Sequence, residues 1–258
     1  MVSLAHVYER SAQSLALELA YTRSDEFGAY RSGGVSWDYA IVPQWRVSAV
    51  ADSALDIPTL YQRTSRPGAA ARRPQANRRV ELHLDWEDDG RALGLAVYRR
   101  HLQDLMSLEP VAQCQGLAGC GATARPTQLQ GVTLSGKGSL GQLDLGGSLD
   151  LRYAVDADSR LPLPRQAHQI LKLDGGTQWG RWHVGPEWQL VSRRYADANR
   201  TSQLAGYGRL DVQASASFAP AWEVMFRVDN ATDRNYRLSS SQAGSGRVWR
   251  VQLRWAPG

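Results

Sequence analysis

The residues able to do chemistry are five histidines, two cysteines and a long series of acidic and basic side chains. His6, His83, His101, His168 and His183 are scattered along the chain. Hydrolysis by a serine nucleophile needs a base within hydrogen-bond reach and a third group to orient that base. No such triad is legible, so no catalytic residue is expected and the chain does not read as an enzyme. Cys114 and Cys120 stand in "CQGLAGC". A structural zinc site needs further nitrogen or sulfur ligands close by, and none is near, so neither a metal site nor a cofactor is expected. The spacing lets a small loop close, and Gly116, Gly119 and Gly121 make it pliable. A Cys114–Cys120 disulfide in an oxidising compartment is the expectation, with two free thiols as the alternative. Of the 30 basic residues all but Lys137 and Lys172 are arginines. A nucleic-acid surface needs them gathered on one face among stacking aromatics. Here they are scattered, apart from "RRPQANRR" (Arg72–Arg79), which reads as a solvated loop. No nucleic-acid partner is expected.

The charged residues recur at every second position, which is the period of a β-strand with two unlike faces. In the C-terminal "WRVQLRWAPG", Trp249, Val251, Leu253 and Trp255 alternate with Arg250, Gln252 and Arg254. In "WEVMFRVD", Trp222, Val224, Phe226 and Val228 face away from Glu223, Met225, Arg227 and Asp229. In "RLDVQASASF", Leu210, Val212, Ala214, Ala216 and Phe218 oppose Arg209, Asp211, Gln213, Ser215 and Ser217. Earlier stretches alternate in the same way, as in Val80, Leu82, Leu84 and Trp86 against Glu81, His83 and Asp85. The pattern predicts thirteen strands, roughly 2–9, 14–22, 33–41, 45–52, 79–86, 92–105, 128–136, 141–155, 166–179, 182–193, 208–218, 222–229 and 247–255, with no amphipathic helix between them. This is an all-β antiparallel meander.

The connections sort by length. Those after odd-numbered strands are short: "RSAQ", "VPQ", "EDDG", "GKGSLG", "GR" and "APA". Those after even-numbered strands include the longest, Ser53 to Arg78, Met106 to Thr127, Arg194 to Tyr207 and Asn230 to Gly246. Short turns at one rim and long loops at the other are the layout of a transmembrane β-barrel, and a β-sandwich has no reason to sort its loops so. No apolar run is long enough for a membrane-crossing helix. The tryptophans agree with a barrel. Trp45, Trp86, Trp179, Trp182 and Trp222 lie beside short turns, and Trp255 ends the last strand. Indole favours the boundary between headgroups and acyl chains, so these six read as membrane-interface aromatics. The polar faces then line a lumen. Their charges (Glu81, Asp85, Asp150, Arg152, Lys172, Glu187, Arg209, Asp211, Glu223, Arg227, Arg250 and Arg254) are expected to pair across neighbouring strands, because an unpaired charge in a dry core would be prohibitive.

The last hundred residues resemble the C-terminal strands of TonB-dependent outer-membrane receptors. That family has a segment like N-L-x-D-(K/R)-x-Y after a strand, followed by G-R-x-(aromatic) opening the closing strand. The chain has Asn230-Ala231-Thr232-Asp233-Arg234-Asn235-Tyr236, with Ala231 in place of the usual Leu, and then "GRVWRVQLRW". Upstream, "DIPTLYQ" (Asp56–Gln62), "LGLAVYRRHLQDLM", "LQGVTLSGKGSLGQLDLGGSLDLRYAVDA" and "LPLPRQAHQ" resemble successive segments of the same receptors, with spacing closest to cobalamin transporters. The family's terminal Phe is replaced by Trp255, followed by Ala256-Pro257-Gly258.

The resemblance implies that residues 1–258 form the C-terminal part of a twenty-two-stranded barrel in the bacterial outer membrane, with the plug domain absent. It implies uptake of a scarce metal chelate such as cobalamin or a siderophore, a lipid environment, the barrel-assembly machinery, and a TonB-type energy-coupling partner acting through a plug. The candidate ligand contacts of such a transporter are loop and upper-strand polar or aromatic groups: Tyr61, Gln62, Tyr195, Tyr207 and Arg165, the last at the loop-to-strand junction of the resembled segment. The N-terminal "MVSLAHVYERSAQ" does not have the layout of a signal peptide. An outer-membrane barrel of this kind has an even number of strands. A thirteen-strand count therefore implies either one miscounted strand or a C-terminal portion that does not transport alone. The competing expectation is a small self-closing porin-like barrel.

Overall fold

The computed structural model describes residues 1–25, 27–56, 75–108, 122–197 and 199–256. There is no helix among the described residues. In chain order the strands are β1 (Val2–Arg10), β2 (Gln13–Ser24), β3 (Gly28–Val42), β4 (Trp45–Asp56), β5 (Gln75–Asp88), β6 (Arg91–Leu108), β7 (Ala122–Leu140) and β8 (Leu143–Asp156). They continue with β9 (Gln169–Trp179), β10 (Trp182–Val191), β11 (Arg194–Tyr195), β12 (Gln203–Leu204), β13 (Tyr207–Ala219), β14 (Trp222–Asp229) and β15 (Val248–Trp255). All but β11 and β12 belong to one sheet in which every strand is followed by its sequence neighbour, so the thirteen expected strands are found as a meander.

The turns that follow strands β1, β3, β5, β7, β9 and β13 are each two residues long, as expected for Gly180-Arg181 and shorter than the sequence pattern implied for the other five. The strands run on through residues that the pattern had assigned to turns. Asp89 and Gly90 both have positive φ, at 46° and 72°. That is the geometry of a type I′ hairpin, whose twist matches the flanking strands and for which Asp-Gly is well suited. Two other boundaries differ. The ninth predicted strand begins at Gln169 rather than 166; one ladder bond runs on past it, with the His168 carbonyl accepting the Arg152 amide at 2.8 Å. The stretch between β10 and β13 was read as loop, yet it holds a small separate hairpin, with Arg194 paired to Leu204 and Tyr195 to Gln203.

The fold divides into two compact units, one of Met1–Asp85, Ala96–Val132 and Tyr153–Leu163, the other of Trp86–Leu95, Thr133–Arg152 and Pro164–Gly258. In both, the apolar face of the sheet is uncovered among the described residues. Leu15, Leu17 and Leu19 of β2 are exposed, as are Leu173 and Trp179 of β9 and Trp249, Val251 and Leu253 of β15. Apolar area buried in protein is what holds a water-soluble sheet together; here buried apolar residues are few among the described residues, and Val155, Val191 and Leu204 lie at the long-loop ends of strands. The six tryptophans stand where the alternation put them. Trp45, Trp182 and Trp222 open their strands, Trp179 and Trp255 close theirs, and Trp86 lies two residues before the end of β5. Trp222 and Trp255 are register partners with ring centroids 6.1 Å apart.

One place in the sheet runs against strand propensity. Pro186 lies inside β10, which has neighbours on both sides. Proline brings no N–H to a ladder and is rare at such positions. On the β13 side the register continues through it, with Pro186 opposite Val212. On the β9 side the pairing skips from Val184↔Thr177 to Glu187↔Asp174. The gap is filled by backbone alone: a Cβ built on Gly185 would stand 2.2 Å from the Gly175 carbonyl oxygen. Gly185→Ala is therefore expected to force the two strands apart and to destabilise the fold by about 1–3 kcal/mol. A lowered urea midpoint in lipid vesicles checks this; an unchanged midpoint refutes it.

Candidate functional site

The polar face of the second unit carries a cross-strand charge ladder built directly from the alternation. Registry places Glu187 of β10 opposite both Asp174 of β9 and Asp211 of β13. Three carboxylates in a row repel one another, so the arrangement needs cations. Arg227 of β14 supplies one. Its fork donates to both carboxylate oxygens of Glu187, at 3.1 and 2.6 Å. Its Nε donates to Asp229 at 2.9 Å, and it reaches Asp211 at 3.4 Å. Bidentate guanidinium–carboxylate pairs are the strong members of the ion-pair class. Arg209 adds a second contact to Asp211 at 2.9 Å, and Arg250 of β15 meets Asp229 at 2.9 Å. The first unit repeats the device on a smaller scale. There Arg79 bonds Asp52 at 2.6 Å, and Glu81 meets Arg100 at 2.8 Å. The expected cross-strand pairing is thus present, with Asp85 and Lys172 making no ion pair among the described residues. A cavity of about 730 Å³ opens on this face in the second unit, lined by Lys172, Asp174, His183, Glu187 and Arg209 among others. Among the described residues no group of histidine, cysteine and carboxylates is placed to hold a metal ion.

At its upper end the ladder becomes a loop anchor. Asp211, 3% exposed, accepts the Asn230 amide at 2.8 Å. Asn230 is itself 1% exposed and sits in the left-handed region at φ 51°. Its side-chain amide donates to the carbonyls of Arg234 and Ser245, both at 3.0 Å, while its Oδ1 accepts the Arg234 amide at 2.9 Å. Asp233, also left-handed at φ 52°, accepts the Arg247 amide at 2.9 Å. One asparagine and one aspartate therefore close both ends of the loop 230–247 onto the sheet.

Above that anchor the loops pack against one another. The Tyr236 ring stacks on Tyr207 with centroids 4.4 Å apart. It also lies flat on Gly244, where any Cβ would overlap the ring at 2.2 Å. The buried Arg194 spans both long loops: its guanidinium lies 5.5 Å over the Tyr207 ring and donates to the Arg237 carbonyl at 2.7 Å. Arg165, left-handed at φ 62°, donates its amide to the Tyr195 carbonyl at 2.7 Å. A second cavity, of about 650 Å³, lies between residues 202–206 and 234–243.

Of the expected ligand contacts, Arg165, Tyr195 and Tyr207 are thus brought into one loop assembly of the second unit, joined by backbone and ring contacts. Tyr61 and Gln62 lie outside the described residues, as do Cys114 and Cys120. Sequence reasoning passed over Arg194, Tyr236 and Arg237. The available signal was the arginine surplus of the two longest loops in this unit; their folding onto each other is not a local pattern.

A family model for the TonB dependent receptor-like β-barrel matches residues 8–231. The chain belongs to this family. Among curated proteins it is similar to the vitamin B12 transporter BtuB of Vibrio cholerae, with 21% identity over 250 residues, which cover 93% of this chain and 39% of that protein. The chain therefore spans about two-fifths of the length of the relative it matches. Among solved structures, the copper transporter OprC superposes with a TM-score of 0.79 at 15% identity, covering 97% of this chain and 46% of OprC. A mutant of the ferric enterobactin receptor PfeA from Pseudomonas aeruginosa gives 0.78 at 15% identity, covering 98% and 44%. These structures share the fold of the TonB-dependent receptor barrel. The proteins matched are transporters and receptors by name, not enzymes.

Two outcomes follow from the loop anchor. Asn230→Ala removes three hydrogen bonds that the buried asparagine side chain makes to backbone groups of Arg234 and Ser245, and places alanine in a left-handed conformation. The loss is expected to be about 3 kcal/mol or more, with amides of residues 231–246 losing hydrogen-exchange protection before the sheet does. Asp197, at the tip of the β11–β12 hairpin, accepts the amides of Thr201 at 3.1 Å and Ser202 at 2.9 Å. The Thr201 bond, foremost among these, holds its carboxyl below the ordinary aspartate value, against a smaller opposing effect of desolvation. A depressed carboxylate stabilises its turn fully above the ordinary value of about 3.9, and that stability is lost as pH falls through the lower folded value. The Asp197 side-chain carbon shift in NMR is expected to titrate below 3.9; a midpoint at or above it refutes the turn's dependence on the ionised form.

Proposed function

We propose that the chain forms the C-terminal strands and ligand-facing loops of an outer-membrane receptor that takes up a scarce metal chelate, cobalamin or a ferric siderophore, with energy delivered by a TonB-type partner through a plug domain. The observation that carries the reading is the family match over residues 8–231 on a meander whose turns and loops sort by length. The uncovered apolar face then lies against outer-membrane lipid. Trp45, Trp86, Trp179, Trp182, Trp222 and Trp255 lie at the headgroup boundary, where indole is favoured. The paired charges of the opposite face line the lumen. Arg165, Tyr195 and Tyr207 belong to the outer loops that receive the chelate; Tyr61 and Gln62 are proposed to join them, and Cys114–Cys120 to close the longer loop that carries them. The closing strand, with Trp255 in the aromatic position, is what the barrel-assembly machinery engages.

β1 and β15 stand at the two ends of the strand order. A strand edge cannot be left unpaired in lipid, because each unbonded backbone group there costs several kcal/mol. The reading therefore requires further strands beside them. The test is uptake in a receptor-deficient Gram-negative host given the chain with a secretion leader, alone or together with the plug and remaining strands of the BtuB relative. Energised, TonB-dependent uptake of labelled cyanocobalamin or a ferric siderophore is expected only in the second case. Uptake by the chain alone overturns the need for partner strands. Absence of uptake in both cases overturns the transport reading.

A further inference from the structure

The loops of the second unit differ from the sheet below in the balance of their charge. Residues 192–206 and 230–247 carry six arginines against two aspartates, with no lysine or glutamate. Both aspartates are engaged by backbone amides, Asp197 in its own hairpin and Asp233 at the loop base. The cavity of about 650 Å³ between these loops is lined by Gln203, Arg234, Tyr236, Arg237 and Ser240, with no carboxylate in its wall. The Arg234 guanidinium makes no hydrogen bond or ion pair among the described residues. Behind the wall, Arg194 is 7% exposed and holds the carbonyl of the lining residue Arg237, yet its Nη1 has no acceptor. A buried cation donor left unspent is costly, and here it adds to the positive potential of the cavity.

From this we infer that the cavity takes an anionic metal chelate, of the ferric catecholate class, rather than a corrinoid whose periphery carries uncharged amides. The inference rests on the receptor reading above. Arg234 offers a planar fork suited to the oxygen pairs of such a chelate. Arg237, whose Nη1 donates to the Ser240 carbonyl at 3.2 Å, adds a second guanidinium, Gln203 and Ser240 add neutral bonds, and the Tyr236 ring gives an aromatic wall. The volume lies in the range of small-molecule sites. A positive cleft also concentrates anions and speeds their capture. Lipid phosphate is the other anion within reach of an outer loop, but a concave wall shared by two loops is built for a compact ligand.

The test is titration of the full chain, folded in zwitterionic detergent, with ferric tris-catecholate and with cyanocobalamin, read by tryptophan quenching, and co-sedimentation with phosphatidylglycerol or phosphatidylcholine vesicles. The catecholate is expected to bind, more weakly as salt is raised. Arg234→Gln and Arg237→Gln are each expected to weaken it about tenfold. Arg254→Gln, on the sheet beside Glu223, leaves it unchanged. Arg234→Gln removes no internal bond, so unchanged far-UV dichroism accompanies its loss of affinity. Cyanocobalamin bound as tightly, and indifferent to both loop substitutions, overturns the inference and leaves the receptor reading standing. Arginine-dependent binding to phosphatidylglycerol vesicles in place of the catecholate overturns it in favour of lipid phosphate. Binding of neither chelate overturns the inference and leaves standing the receptor reading, whose own test is uptake with the remaining strands supplied.

Discussion

The carboxylate of Asp211 is the joint between the two halves of the structural logic. On one side it completes a ladder of like-charged groups that only Arg227 and Arg209 make tolerable. On the other it holds the first amide of the loop that begins at Asn230. A carboxylate this deeply buried is costly unless every donor is in place. Its surroundings therefore fix more than stability: they fix which residue of β14 ends the strand, and where the loop 230–247 departs. The tyrosine stack above inherits its position from that departure point. Tyr236 reaches Tyr207 only because Asn230 turns the chain through a left-handed residue and pins the far side of the loop through Ser245.

Much of the sheet could be read from the residues because a two-faced strand writes its geometry at every second position. Thirteen strands, their order and the side of each tryptophan follow from that period alone. The errors cluster where the period lapses. β3 begins with Gly28-Ala29-Tyr30-Arg31, which shows no alternation, and extends the strand five residues beyond the patterned part that starts at Gly33. The ladder continues there because hydrogen bonding to β2 persists, from Arg31↔Tyr21 to Gly28↔Ser24, and backbone pairing needs no favourable side chain. The β11–β12 hairpin escaped for the opposite reason: two residues per strand are too few for a period to show.

The loop site was legible only in part, and the division is physical. The segment from Asn230 to Tyr236 could be seen as a unit by resemblance, and its structure explains why those residue types recur at that spacing. The asparagine supplies an acceptor and two donors to backbone groups, and the aspartate three residues on supplies a second acceptor. That is anchoring chemistry. The chemistry facing the cavity comes from Arg234 and Arg237, whose neighbours in space lie some thirty residues away in the other loop. No local pattern announces such a pairing, because it depends on how two loops fold onto each other above the sheet.

The same contrast separates the two cavities. In the sheet, registry sets Asp174, Glu187 and Asp211 side by side, and Arg227 and Arg209 answer Glu187 and Asp211 from within the protein. Glycines widen that face rather than charge it: the Asp174 carboxylate lies over Gly146, and the His183 ring over Gly176, each where a Cβ would collide. A wall so neutralised has little pull on a charged solute and suits a face against which something slides or packs. The loops have no registry to enforce balance: their six arginines meet two aspartates, both held by backbone amides. In the proposed receptor, capture is then a property of the loops and tolerance of passage a property of the sheet. Asp211 is where one regime gives way to the other.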